Sequence, residues 1–416
     1  MINTLKGTEA GFPGRIVLLT SGQPTLNPRL VKEADALYEA GYLVTVVFQY
    51  WTAWATEADQ TLLEAKKWDY RRVGGSPVHE KAAFLFSRFR HKSGRFLSRY
   101  LGFKFGLAET AIGRCTALLV SAALELPAHL YIAHNLAALP AAVIASKKLK
   151  AKCGFDAEDF HRHEVSNDVN SYDVNLKTFI ENKYIPQVDY LTVSSPQTAQ
   201  AYREIFPGKD PVTILNVFDK HDKIHVSKRI ADSPLKLFWF SQTVGPNRGL
   251  NDVIEALRII NNPRIELHLL GHCTALFKDD LNSNQTVNIN YHDPVPAKFL
   301  VELASCFDVG LALEPGFSYN NDYALSNKLF TYLQAGLAVI ASATTAQRYF
   351  VEHYQVGEIY EKGNVMALSQ IINSFYHDRN KLQVAQMRSL QVAHNELNWA
   401  IERKKFLSLI RNTLDA

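Results

Sequence analysis

At 416 residues the chain is longer than one ordinary hydrophobic core supports, so two domains are expected. Its hydrophobic fraction of 47% and charged fraction of 21% exclude a disordered or fibrous chain. A net charge of +4 argues against a dedicated nucleic-acid binder but leaves room for a local basic patch that meets an anionic membrane or a phosphate-bearing substrate.

The first segment, Met1 to Arg15, is polar and carries no secretory apolar run. Arg15 to Thr20 then reads as a buried strand. Asn27-Pro28 opens a helix, with Asn as cap and Pro in the first turn, and Gly41 ends it. Leu43 to Phe48 is the next strand, which completes a βαβ unit. Further strands are expected at Leu130 to His134, Ala151 to Phe155, Asp189 to Ser194 and Val212 to Leu215, with a small-residue helix over Ala137 to Leu149. A polar connector from Asp219 to Ser233 reads as a hinge.

The second half repeats the alternation. Strands read at Leu235 to Phe240, Ile265 to Leu270, Thr286 to Tyr291, Phe307 to Leu313, Leu337 to Ala341 and Glu358 to Tyr360, with amphipathic helices between them. The expected fold class is therefore α/β, with two doubly wound Rossmann-like domains: residues 1–218, and residues 234–390 followed by a helical tail of about 391–416 that packs back on the first. Two such halves place a ligand cleft at the carboxyl ends of their sheets.

The apolar stretches Cys115 to Leu126 and Leu136 to Ala145 fall short of the ~20 residues that a membrane span requires. Cys115, Cys153, Cys273 and Cys306 lie far apart with no C-x-x-C pair, which fits reduced thiols in the cytoplasm. No G-x-G-x-x-G follows any expected strand, which argues against a Rossmann dehydrogenase.

Two segments of the second half carry groups suited to an anion. In the first, Phe240 to Leu250, Gly245 and Gly249 let backbone approach a ligand, and Arg248 sits at a helix entry. In the second, Tyr323 to Gly336, Ser326 reads as an N-cap and Lys328 lies in the first helical turn. A first-turn lysine opposes the helix dipole, so an anionic ligand explains it better than helix stability does, although exposed lysines at such positions are common.

In the first half, Thr20-Ser21-Gly22-Gln23 follows the first strand, and His134 ends a strand, where a sugar hydroxyl or a structural partner would satisfy it. Asp156, Glu158, Asp159 and His161 cluster just after another strand; they are candidates for acceptor hydroxyls or for a base, with a solvated polar loop as the plain alternative. A metal there is disfavoured, because no D-x-D triplet occurs and the H-x-H-E order lacks the helical pairing of H-E-x-x-H. Between Phe84 and Phe105, the aromatics Phe84, Phe86, Phe89, Phe96, Tyr100 and Phe105 interleave with Arg88, Arg90, Lys92, Arg95, Arg99 and Lys104, and the stretch holds no acid. This composition suits contact with an anionic membrane, or else a helix with its aromatics in the core and its arginines in water.

At Asn247-Arg248-Gly249, at Leu313-Glu314-Pro315, and from Asn320 through Lys328 to Ser342, the chain resembles the family 4 (group 1) glycosyltransferases of GT-B fold. Asn216-Val217-Phe218-Asp219 also sits where that family often has N-G-V-D. The resemblance implies transfer of a sugar, with retention, from a nucleotide diphosphate-sugar to a glycan or lipid-linked acceptor in bacterial surface polysaccharide synthesis, without a metal or other cofactor. It implies that Arg248 and Lys328 neutralise the donor diphosphate and that His134 lies near the reacting sugar. Gly22, Gly245, Glu314, Ser326, Asn327 and Thr331 fall on the donor side.

The chain departs from the family pattern at two positions. Thr331 stands where the second of two glutamates usually holds the donor ribose, and Thr243 replaces a common Arg. These departures keep open a non-catalytic partner or scaffold of the same fold; a nucleotide-sugar epimerase is a third reading.

Overall fold

The computed structural model describes residues 14–221, 224, 233–282 and 287–416. Met1 to Pro13, most of the connector from Asp219 to Ser233, and the expected strand start at Thr286 lie outside the described residues. The chain divides into two compact units, one running to Ile214 and including Arg403–Ala416, the other Leu215–Glu402.

The first unit is built on a parallel sheet of β1 (Arg15–Thr20), β2 (Leu43–Gln49), β3 (Asp69–Val73), β4 (Leu130–His134), β5 (Lys152–Ala157), β6 (Tyr190–Val193) and β7 (Val212–Thr213), in the order β3-β2-β1-β4-β5-β6-β7. Its central strands β1 and β4 are apolar and buried over Ile16–Leu19 and Leu130–Ala133, as a parallel sheet covered on both faces requires. β3 is the exception. Its sequence Asp-Tyr-Arg-Arg-Val is mostly exposed at the sheet edge, so no hydrophobic run announces it. The helix Pro28–Glu39 starts as the sequence predicts: the Asn27 side chain accepts from the Leu30 N–H at 2.9 Å, and proline sits in the first turn. The end of the C-terminal helix joins this unit, with Arg403 paired to Glu39 at 2.8 Å and Lys405 Nζ donating to the Thr213 carbonyl at 3.2 Å.

The second unit holds β8 (Leu235–Val244), β9 (Ile265–Cys273), β10 (Asn288–His292), β11 (Val309–Ala312), β12 (Ala338–Ser342) and β13 (Gly357–Tyr360), in the order β10-β9-β8-β11-β12-β13, all parallel. β8 runs past its expected end at Phe240 because its pairing with β9 shifts register between Phe240 and Thr243 and then resumes. Apolar clusters fill both faces of this sheet, one around Phe238, Tyr332 and Phe350, the other around Trp239, Leu257 and Phe375.

Both sheets share one topological property. β1 and β4 are neighbours in the first, β8 and β11 in the second, and from each such pair the chain winds outward in opposite directions. The carboxyl ends of these neighbours are where an open α/β sheet leaves a crevice for a ligand.

Candidate functional site

At the carboxyl ends of β8 and β11, the segments singled out in the second half come together. Gly249 adopts φ +76°, and a Cβ there would lie 2.7 Å from Leu313 Cβ, so only glycine lets the loop after β8 rest on the chain leaving β11. One residue on from Leu313, Glu314 receives a hydrogen bond from Lys328 Nζ at 3.0 Å. That ammonium also lies 5.9 Å from the Trp239 ring on β8. Arg248, just before Gly249, is exposed. The Gly249 backbone and the Lys328 ammonium thus both approach the short segment Leu313–Glu314.

Burial opposes ionisation of Glu314, yet the Lys328 charge, with hydrogen bonds from Lys328 and Asn321, holds its carboxyl below the usual range. Lys328 lies in the first turn of the helix Asn327–Gln334, whose N-cap is Ser326. Asn327 Oδ1 accepts from Asn216 Nδ2 at 3.1 Å. Asn216, the first residue of the stretch that runs to Asp219, is thereby tied to this helix start. Gly245 has an ordinary φ, and a Cβ there would meet nothing within 4 Å, so its position is open rather than conformationally demanding. Thr243 lines a separate cavity of about 250 Å³ with Gly271, Lys278 and His292, at the ends of β8, β9 and β10.

At the carboxyl ends of β4 and β5 in the first unit lies a buried charge network. Arg29 donates through Nε and Nη2 to the two oxygens of Asp156, each at 2.6 Å, and the Thr192 hydroxyl donates to the same carboxylate at 2.7 Å. His134 sits among three acids: Nε2 is 3.3 Å from Glu33, and Nδ1 is 3.3 Å from Asp156 and 3.2 Å from Glu158. Arg29, Glu33, His134 and Asp156 are all buried. Burial disfavours a charged imidazole, but the Glu33, Asp156 and Glu158 carboxylates close around it raise His134 well above its ordinary value. Burial likewise disfavours the Asp156 carboxylate, and the Arg29 guanidinium outweighs it. Glu33 is pushed the other way, upward, by burial and by Asp156. Glu33, His134 and Asp156 have ligand atoms close enough together to hold a cation, but Arg29 and His134 already place positive charge among these acids.

Glu158 is the member of this network that reaches a surface. Its carboxylate accepts from Asn27 Nδ2 at 2.5 Å, and it lines a cavity of about 310 Å³ together with Gly22, Asp159, His161, Glu164 and Trp51. Gly22 donates its N–H to Thr20 Oγ1, at the end of β1. Trp51 is fixed from below: buried Gln23 accepts from the Trp51 and Thr52 N–H groups at 2.8 and 2.7 Å, which leaves the indole 66% exposed at the cavity. Burial opposes charge on His161, while Glu164 raises it; among the described residues its Nε2 has no hydrogen-bond partner. Glu164, shared by His161 and Lys177, is held down at about 2 despite its own burial.

Three expectations need correction. His134 ends its strand as read, but its ring is fully buried among carboxylates, so it reaches no sugar hydroxyl; its Nδ1 meets the cavity-lining Glu158 at 3.2 Å. Asp156 is consumed by Arg29 and Thr192 and is not presented to an acceptor. Thr331 is fully buried and returns its hydroxyl to the Asn327 carbonyl at 3.0 Å, so it faces no donor. Arg29 and Glu33 carry no local sequence signal of this role, because charged residues on an amphipathic helix read as solvent-facing.

The sequence matches no protein-family model and no curated protein. Among solved structures, the chain is similar to HepE of Anabaena in complex with UDP-glucose (TM-score 0.66, 16% identity, 96% of this chain and 100% of that one). It is similar to a point mutant of S. aureus TarM in complex with Fondaparinux, alpha-GlcNAc-glycerol and UDP (TM-score 0.66, 11% identity, 97% and 100%). A third is the lipopolysaccharide outer core galactosyltransferase WaaB (TM-score 0.61, 12% identity, 95% and 99%). Over nearly its whole length, therefore, the chain has the GT-B glycosyltransferase fold.

Proposed function

We propose that the chain is a glycosyltransferase that takes a sugar from a nucleotide diphosphate donor held in the second unit. The observation that carries this reading is the meeting of Glu314, Lys328 and the Arg248–Gly249 loop at the carboxyl ends of β8 and β11. As the bond between the anomeric carbon and the diphosphate oxygen breaks, negative charge grows on the phosphates. Lys328, Arg248 and the N-terminus of the helix Asn327–Gln334 are the groups here that would meet it, in a role that asks for no metal. Glu314 presets the Lys328 ammonium and is a carboxylate within reach of donor hydroxyls. That HepE and TarM have been captured with UDP supports a nucleoside diphosphate as the ligand class.

The acceptor is placed at the first unit's cavity, where Glu158, Asp159 and His161 offer hydrogen bonds to hydroxyls and Trp51 offers a face for a sugar ring. His134 is then a positioning residue for Glu158. The acceptor class we favour is a glycan or lipid-linked saccharide of a bacterial surface polysaccharide, used in the cytoplasm with retention of anomeric configuration. WaaB, by its name a lipopolysaccharide galactosyltransferase, supports that class. Incubation with a panel of nucleotide sugars tests the reading: slow donor hydrolysis without acceptor, lost in Lys328→Ala, is expected. No turnover and no thermal shift with any nucleoside diphosphate would count against it.

A second reading has one observation in its favour. The buried Thr331 leaves no carboxylate at the helix position where the resembling family holds the donor ribose, which suits a non-catalytic partner of the same fold. Under that reading Lys328→Ala leaves the biological output intact.

A further inference from the structure

The helix Lys81–Leu101 carries three different faces. Phe84, Ser87, Gly94 and Ser98 are buried. Gly94 is needed for close packing, since a Cβ there would lie 2.6 Å from Thr110 Cγ2. Arg88, Lys92, Arg95 and Arg99 recur at spacings of four, three and four, which aligns them on one flank. Leu85, Phe89, Phe96 and Tyr100 recur at four, seven and four and form a neighbouring ridge, joined by Phe86. The ridge is open to solvent: Phe86 is 66% exposed, Phe89 71% and Tyr100 74%, and Phe105 beyond the helix 96%. Of the two readings of this stretch, a helix with its aromatics in the core fails for Phe86, Phe89, Phe96 and Tyr100, and among the helix's Phe and Tyr residues only Phe84 is buried.

Beside the basic flank is a cavity of about 540 Å³ lined by Arg88, His91, Lys92, Arg95, Arg114 and Trp51, with no carboxylate in its lining. It shares Ser21, Trp51, Ile112 and Ala137 with the cavity of Glu158 and His161, so the two adjoin. Arg114 is held rigidly in its wall by the Gly74 carbonyl at 2.6 Å, Ser87 Oγ at 2.8 Å and the Tyr50 carbonyl at 3.0 Å. Arg95 stacks on Tyr172 and has only a distant carboxylate, Asp173 at 4.0 Å. Arg88 and Lys92 have no ion pair among the described residues. Positive charge is uncompensated here. His91 is pushed below its ordinary value by burial and by Arg95, Arg114 and Arg90, against the pull of the Thr110 carbonyl. Arg114 is pushed down by burial and by Arg88. An anion among these groups would relieve both.

Resting on the glycosyl-transfer reading, we propose that this cavity is the phosphate subsite for a lipid-linked acceptor. The phosphate or diphosphate sits among Arg88, Lys92, Arg95 and Arg114, and its sugar reaches the adjoining cavity of Glu158 and His161. Its lipid chain lies along the ridge of Leu85, Phe86, Phe89, Phe96 and Tyr100, where the bilayer surface meets the protein. Apolar exposure of this extent beside a cationic flank is the pattern of an interfacial helix rather than a spanning one, and no helix of the described residues is long and apolar enough to cross a membrane.

The test is calorimetric titration of the full chain with dodecyl phosphate below its micelle concentration, against inorganic phosphate and dodecyl glucoside. Binding of dodecyl phosphate, at least tenfold weaker in both Arg88→Ala/Lys92→Ala and Phe86→Ser/Phe89→Ser, is expected. All four substituted side chains are exposed, so circular dichroism should show the variants folded. Unchanged affinity in the Arg88/Lys92 variant, or no binding at all, overturns the proposal. Equal binding of dodecyl glucoside would reduce the surface to apolar adsorption and overturn it as well. Equal binding of inorganic phosphate would overturn the lipid as the source of the anion. Titration with nucleoside diphosphates, done separately on the unaltered chain, separates this inference from the donor reading, because either ligand can bind without the other.

Discussion

Lys328 Nζ lies 3.0 Å from Glu314 Oε1, with side-chain exposures of only 17% and 15%, at the head of a helix whose dipole disfavours a cation. The pair therefore holds a lysine where helix electrostatics alone would not. Glu314→Gln should cost about 1–3 kcal/mol of folding stability at pH 7, the scale of a half-buried charged hydrogen bond. Because the folded carboxyl is held below its unfolded value of 4.5, its contribution is present above that pH and is lost as pH falls through the folded value. Urea unfolding should show the gap between wild type and variant narrowing below about pH 4. An equal gap at both pH values would contradict the assignment.

Gly249→Ala combines a left-handed φ with a Cβ placed 2.7 Å from Leu313 Cβ. A loss of about 1–3 kcal/mol is expected, from backbone strain and overpacking together. Because the displaced contact leads straight into Glu314, nucleoside diphosphate affinity should fall with it. Thermal melts with and without nucleotide read both effects; normal melting and unchanged affinity would show that the loop does not depend on this approach.

Restoring a carboxylate at position 331 should fail. Thr331 is fully buried, with its hydroxyl bonded to the Asn327 carbonyl. Thr331→Glu would force a charge into a packed interior, at a cost of several kcal/mol. We expect a destabilised protein with no gain in nucleotide affinity, measured by unfolding and titration; tighter nucleotide binding would mean that this helix face opens to the donor.

The His134 network predicts a pH dependence of stability. Its folded pKa is raised well above 6.5, chiefly by Glu33 against the effect of burial, so the stabilisation is complete below 6.5 and is lost as pH rises towards the folded value. Stability should fall by up to about 1.4 kcal/mol per pH unit across that window. His134→Gln should remove the slope. A slope that persists in the variant would assign it to another group.

How far the sequence spoke depends on what each residue had to do. β1 and β4 ended at Thr20 and His134 as read, because buried parallel strands are uninterrupted apolar runs. β3 was invisible because an edge strand of Asp, Tyr and two Arg has no apolar face to read. The helix start at Ser326–Lys328 and the glycine loop at Gly249 were legible locally, because caps and tight turns are set by near neighbours in the chain. The Arg29–Asp156 pair spans 127 residues, and local spacing carries no trace of such a partnership. Trp51 was missed for a similar reason. An aromatic just after a strand reads as core until Gln23, far along the chain, is seen fixing it outward.

The central claim is that Arg248 and Lys328 serve one anion at the carboxyl ends of β8 and β11. Calorimetric titration with a panel of nucleoside diphosphates, followed by the tightest of them on Arg248→Ala and Lys328→Ala, tests it most directly. The account predicts that each variant weakens binding at least tenfold while remaining folded. Nucleotide affinity that survives both substitutions unchanged would contradict it.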